Sequence, residues 1–234
     1  MSRSQRAAEG LISSLLRRQS QALHRGVESD RHRASTTEPV TALLVMDVQR
    51  GIANRYPGDV VERAAEAVDA ARRAGMLVVF VRVAFRLVHR EVSGDNGTIA
   101  ALHGAGGRLE DDSAIHPSLT PLPGEPIVTK CRVSAFAGSD LDVLLRARGA
   151  RSLVLCGVAT SGVVLSTLRA AADLDFELTV LRDACADTDP EVHRVLVEKV
   201  FPRQAHLVDV ATWSARLADQ GVRAPPPARA QRLM

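Results

Sequence analysis

Two charged residues sit where apolar runs of the sequence end. Asp47 closes "LLVM" in the segment "TALLVMDVQ", and Lys130 closes "EPIVTK". A lone carboxylate or ammonium in such a place is costly to desolvate. Brought together at the mouths of neighbouring strands, each answers the other's need for a counter-charge. Such a pair can hold and move a proton. Burial would raise the pKa of Asp47 and a neighbouring Lys130 ammonium would lower it, so the balance decides between acid and base. The sequence leaves that balance open. A third segment, "CGVATSGVVLST" from Cys156 to Thr167, has the form of a strand opening through a turn into a helix. Turns of this kind carry nucleophiles, yet the residues here are small or apolar. Ser161 and Thr160 offer hydroxyls with no histidine beside them in sequence, which favours hydrogen-bonding or helix-capping roles.

These residues need a frame. The segments 41–49, 76–85, 125–130, 152–159, 176–184 and 205–210 are short runs rich in Val and Leu, with the continuous hydrophobicity of strands buried on both faces. Helix-period segments separate most of them. "DVVERAAEAVDAARRAG" ends on Gly75 and "SDLDVLLRARG" on Gly149, both suited to the position after a helix. In the latter, Ser139 precedes Asp142 by three residues, the spacing of a capping box. "DPEVHRVLVEKVFPR" sets Pro190 at a first helical position. Strand alternating with helix predicts a three-layer α/β/α domain over 39–222 with a mostly parallel, doubly wound, six-stranded sheet. Ligands of such sheets bind beyond the carboxyl ends of the strands. That edge collects Asp47, Gln49, Arg82, Arg86, Lys130 and the 157–163 turn. The long stretch 86–124, which includes His89, His103 and His116, leaves the same edge as a candidate lid.

Composition narrows the class of function. Of 30 basic and 27 acidic residues, residues 1–38 hold seven Arg against four acids, and 223–234 hold three Arg and no acid. The central 39–222 is therefore mildly acidic, which argues against nucleic acid as a partner. Residues 1–38 read as an extension, partly helical around Leu11–Leu23 or disordered, and 223–234 as a disordered tail. The longest apolar run, "MLVVFV", stops at Arg82, so no membrane span is expected. No signal-peptide pattern opens the chain, and Cys131, Cys156 and Cys185 read as reduced thiols. A cytoplasmic location is the expectation.

Three segments in order, "LLVMDVQRG", "TKCRVSAFAGSDLDVLL" and "LVLCGVATSGVVLSTLRAAADLDF", make residues 40–213 resemble the isochorismatase-like hydrolases, or cysteine hydrolase superfamily. The resemblance implies the family fold and places Asp47 and Lys130 at the Asp and Lys of the amidase triad. It places Val163 where those amidases carry the catalytic Cys. It also implies a cis peptide between Val158 and Ala159 and a homodimer or homotetramer. Without the thiol, acyl-enzyme chemistry is not expected. Isochorismatases also lack that Cys and cleave a vinyl ether by protonation and capture by water. The resemblance thus implies Asp/Lys acid–base hydrolysis of a small, anionic molecule at a vinyl-ether, C–N or C–O bond. Gln49, Arg82, Arg86, Ala159, Thr160, Ser161 and Gly162 would contact the substrate. Arg82, Arg86 and Arg90 match a carboxylate by their guanidinium forks, and backbone N–H groups of 159–163 match an oxygen. The zinc-binding Asp-x-His pattern of some family members is absent from "VRVAFRLVHR", so neither a metal nor another cofactor is expected. Two alternatives remain: an inactive relative serving as a metabolite-binding scaffold, and amide hydrolysis with water or Ser161 in place of the thiol.

Overall fold

The fold is that of a computed structural model describing residues 40–56, 58–85, 92–104 (the last four by backbone alone) and 113–219. The expectations for 1–38, 223–234, Arg86, His89 and Arg90 fall outside the described residues. Six strands form one sheet: β1 Val40–Met46, β2 Leu77–Val83, β3 Ile127–Lys130, β4 Ala150–Val158, β5 Glu177–Ala186 and β6 His206–Val208. Their order is β3-β2-β1-β4-β5-β6, and every neighbouring pair is parallel. The expected strands are all present. The mixed character allowed for above is not, because each connection carries a crossover rather than a hairpin.

Helices cover the sheet. Described in chain order, α1 is Arg50–Ala53, α2 Val60–Arg73, α3 Gly97–Gly104, α4 Leu141–Ala147, α5 Leu165–Asp173, α6 Pro190–Val195 and α7 Val210–Asp219. α2 and α7 pack on each other and on the sheet, while α4 contacts β4 and α5 contacts β5. The centres of the strands are apolar because both faces are covered there, while charged residues such as Arg82, Arg151 and Arg182 fall towards strand ends or the outer strands. Leu43, Leu44, Val79, Phe80, Leu155 and Val180 have no exposed surface, and each such side chain contributes about 1.5–3 kcal/mol on burial. Gly75 and Gly149 follow α2 and α4 with φ of +66° and +68°, the left-handed termination expected of them. Pro190 opens α6, with Asp189 accepting from the Glu191 N–H at 2.9 Å.

The start of α4 departs from expectation. The helix begins at Leu141 with Asp140 in the cap position, so Ser139 stands one residue too early for a capping box. The Ser139 hydroxyl instead donates to the Ala135 carbonyl and accepts from the Leu141 N–H. Asp142 pairs with Arg146 one turn on.

The strand order fixes where a ligand site can be. The chain winds from β1 outward through β2 to β3, then returns to place β4 on the other side of β1 and winds outward again to β6. Between β1 and β4 the direction reverses, and the crevice beyond their carboxyl ends is where doubly wound sheets bind ligands. Asp47 leaves β1 there, and the 159–163 turn leaves β4. Met46 is in register with Gly157. A Cβ on Gly157 would stand 2.0 Å from the Met46 carbonyl oxygen, and its φ is +135°, so only glycine fits this seam.

Candidate active site

Asp47 adopts a left-handed backbone, φ +56°, immediately after β1. Such a conformation is uncommon outside glycine and is tolerated best by Asp and Asn. Its N–H donates to the Val81 carbonyl of β2, and its own carbonyl accepts from Gln49. The bend lays the carboxylate across the mouth of β2 towards β3, so the two charges meet over an intervening strand and not from neighbouring strands as expected. There Lys130 Nζ meets Asp47 Oδ2 at 2.8 Å, with only 1% of the lysine side chain exposed. The ammonium also donates to the Arg132 carbonyl at 3.0 Å, which fixes its direction. The other carboxylate oxygen, Oδ1, is buried without a hydrogen-bond partner among the described residues. Burial raises the Asp47 pKa above the usual carboxylate range, and the Lys130 charge and hydrogen bond oppose that without cancelling it. The carboxyl group thus turns Oδ2 to the ammonium and leaves Oδ1 without a protein partner among the described residues.

Gln49 makes three hydrogen bonds to backbone groups. Its Nε2 donates to the carbonyls of Val83 and Ser113, and its Oε1 accepts from the Val83 N–H. It ties the end of β2 to the segment at 113 and has no amide hydrogen left to donate to a substrate. Arg82 is removed from the cleft. It is in register with Thr129, to whose hydroxyl its Nε donates at 3.1 Å, whereas Lys130 is in register with Val83. Successive strand residues face opposite sides, so Arg82 and Lys130 lie on opposite faces of the sheet.

Beyond β4 the Val158–Ala159 peptide is cis. Thr160–Val164 then form a wide π-type turn that runs into α5, with Gly162 non-helical at φ −94°, ψ −105°. Val163 is 2% exposed, and Thr160 is wholly buried. The Ser161 N–H donates to Asp187 Oδ2 at 2.7 Å, and the N–H groups of Gly162 and Val164 both reach the Ala159 carbonyl. The N–H groups of Ser161 and Gly162 are thus already engaged within the protein, which narrows the expected oxygen-binding set in this turn.

Three residues singled out by no motif belong to the same edge. Asp187 follows β5 and is 5% exposed. His193 on α6 lies with Nδ1 2.9 Å from Thr160 Oγ1, so the histidine absent from the local sequence arrives from 33 residues away. Burial lowers its pKa, and the Asp187 charge partly restores it. Tyr56 packs, with Ile52 and Val61, against the small buried cluster of Val60, Val158 and Ala186. Its hydroxyl pKa is raised by burial first, then by the charges of Asp187 and Asp47, with Arg55 opposing. A sequence signal existed for Asp187 alone, as a carboxylate ending an apolar run just as Asp47 does. Among the described residues, no group of three or more His, Cys, Asp or Glu side chains could hold a metal ion. No helix there is long and apolar enough to cross a membrane.

Comparison with known proteins adds to this geometry. The isochorismatase domain model matches residues 41–212. An uncharacterized isochorismatase family protein of Bacillus subtilis, YwoC, is 35% identical over 164 residues, covering 70% of this chain and 86% of the relative. The ureidoacrylate amidohydrolase RutB of Stutzerimonas stutzeri is 32% identical over 205 residues, covering 74% and 77% respectively. Among solved structures, an isochorismatase family protein of Burkholderia thailandensis superposes with a TM-score of 0.66 at 29% identity. That match covers 78% of this chain and 98% of the other.

Proposed function

The chain belongs to the isochorismatase family of hydrolases, and from that premise we propose that it cleaves a small anionic metabolite by acid–base chemistry centred on Asp47 and Lys130, without a cysteine nucleophile. The observation that carries this reading is the buried 2.8 Å contact between Lys130 Nζ and Asp47 Oδ2, with Oδ1 left free of other partners among the described residues. Oδ1 is the atom from which a proton can be delivered. In a vinyl ether the proton goes to the terminal alkene carbon, leaving an oxocarbenium ion. Water adds to that ion and returns a proton to the Asp47 carboxylate, and the hemiketal collapses to an alcohol and a carbonyl compound. Lys130 stabilises the carboxylate while it is ionised and attracts the substrate's negative charge. Val163, buried in the turn after β4, brings no nucleophile to the reaction.

The test is turnover of 2-methoxyacrylate, an enol ether bearing a carboxylate, by the wild type and by Asp47→Asn. Loss of about 10²–10⁴-fold in kcat with binding retained is expected for a general acid. An Asp47→Asn variant with unchanged turnover would overturn the assignment. A protein that binds 2-methoxyacrylate with no turnover in either form would favour a scaffold role.

A second reading, amide cleavage with water or Ser161 in place of the thiol, is favoured by the amidohydrolase name of the RutB relatives. Mass spectrometry during a single turnover of a ureido acid separates the two. Acid–base hydrolysis leaves the protein unmodified, whereas an acyl adduct on Ser161 would establish a hydroxyl nucleophile.

A further inference from the structure

We infer that Asp187 and His193 are positioning residues that clamp the 159–163 turn against the Asp47–Lys130 pair. This rests on the acid–base reading above for its kinetic consequence, but not for its geometry. Asp187 leaves the end of β5 and accepts the N–H of Ser161 at 2.7 Å. Six residues later, His193 on α6 holds the hydroxyl of Thr160 at 2.9 Å. Two adjacent residues of one turn are therefore gripped by two side chains of a single connection.

The turn profits from such support because its own backbone bonding is irregular, even with the Leu165 N–H reaching the carbonyls of Thr160 and Gly162. The N–H groups of Gly162 and Val164 converge on the one carbonyl of Ala159, and Gly162 breaks the helical path. Left to these bonds, the segment could unwind into a regular first turn of α5, moving Ala159 and Val163 relative to Asp47. The neighbouring seam cannot absorb such a movement, since Gly157 is already wedged against the Met46 carbonyl.

The choice of residue types supports a clamp rather than incidental contacts. A charged acceptor binds a backbone N–H more strongly than a neutral one, and Asp187 is buried to 5% exposure, where an unused charge would be costly. Thr160 has no exposed surface, so its hydroxyl must find a partner inside the protein, and His193 provides it. Its complete burial also argues that Thr160 anchors the turn rather than attacking a substrate. The Asp187 charge is felt by His193 on α6 and by Tyr56 in the segment after α1, and Tyr56 also feels the charges of Asp47 and Arg55.

The experiment uses the full chain and two independent readouts. By amide hydrogen exchange, which needs no substrate, the Ser161 N–H should be protected in the wild type and exchange at least tenfold faster in Asp187→Ala. Asp187→Asn, which retains an acceptor oxygen, should restore most of the protection. With 2-methoxyacrylate, Asp187→Ala and His193→Ala should each lower kcat by 10- to 100-fold while KM changes less than threefold. The double variant should lose little more than the worse single one, since both act on one turn. Recovery of kcat in Asp187→Asn and His193→Gln would support positioning. Unchanged Ser161 exchange in Asp187→Ala would overturn the clamp, and so would additive losses in the double variant. Should Asp187→Ala fail to fold, Asp187→Asn and His193→Gln carry the test, and a kcat loss in either matched only by a lower unfolding midpoint would also overturn it. If wild-type turnover of 2-methoxyacrylate is absent while the exchange results hold, the acid–base reading fails and the clamp stands.

Discussion

A protonated Asp47 and an ionised Asp47 make opposite demands on the same small space. With the carboxyl raised by burial, the folded chain keeps a proton at pH values where an unfolded chain has released it. The stability linked to this group is therefore full below the ordinary carboxylate value and is lost as pH rises through the folded one. Turnover by an acid should follow the same sign. We expect kcat/KM to fall with rising pH along a limb set by Asp47, and a limb rising with pH instead would assign it the role of base. Val163 offers a second probe. Val163→Cys should fold within ~1 kcal/mol of the wild type, since a buried Cys behaves as a small hydrophobe. Its thiol should be alkylated by iodoacetamide well before Cys156 and Cys185. Burial pushes Cys185 up to about 12 and Cys156 well above its ordinary value. Peptide mapping by mass spectrometry reads the order, and a Val163→Cys thiol as inert as those two would remove position 163 from the cleft.

The connections at the sheet mouth carry as much of the site as the strands do. Gln49 makes three hydrogen bonds to buried backbone, so Gln49→Leu should cost about 2–4 kcal/mol in urea unfolding, because the stranded groups lose their partners. Gly157→Ala should be worse and prevent stable folding, since the added carbon would occupy the position of the Met46 carbonyl. The strands were readable in advance because burial on both faces leaves continuous Val and Leu runs. Asp47 and Lys130 were readable because each interrupts such a run with a charge. Arg82 was misplaced for want of register. Its side of the sheet is settled only when it pairs with Thr129 while Val83 pairs with Lys130. Tyr56 and His193 carried no local signal at all, since their relevance comes from crossovers that bring distant segments to one edge. Ser139 shows the limit of spacing rules, where a one-residue shift in the start of α4 redirects its hydroxyl to Ala135.

For the molecule as a whole, the ion pair is a burden that function explains better than stability does. Desolvating two charges costs more than well-packed apolar replacements would, and removing one partner alone strands the other. We expect Asp47→Leu with Lys130→Met to keep the fold, to be as stable as the wild type or more so by ~1–4 kcal/mol, and to abolish turnover. Thermal unfolding with an activity assay measures both, and a double variant that no longer folds would assign the pair a structural role instead. The position of β1 bears on how the protein is made. It lies at the centre of the sheet, flanked by β2 and by β4, yet residues 150–158 leave the ribosome long after 40–46. Throughout that interval the nascent polypeptide carries an apolar strand with one side unpaired, open to the wrong partner. Synthesis of this enzyme therefore passes through a vulnerable window that closes only when β4 arrives, so its yield in a cell depends on what shields that edge during translation.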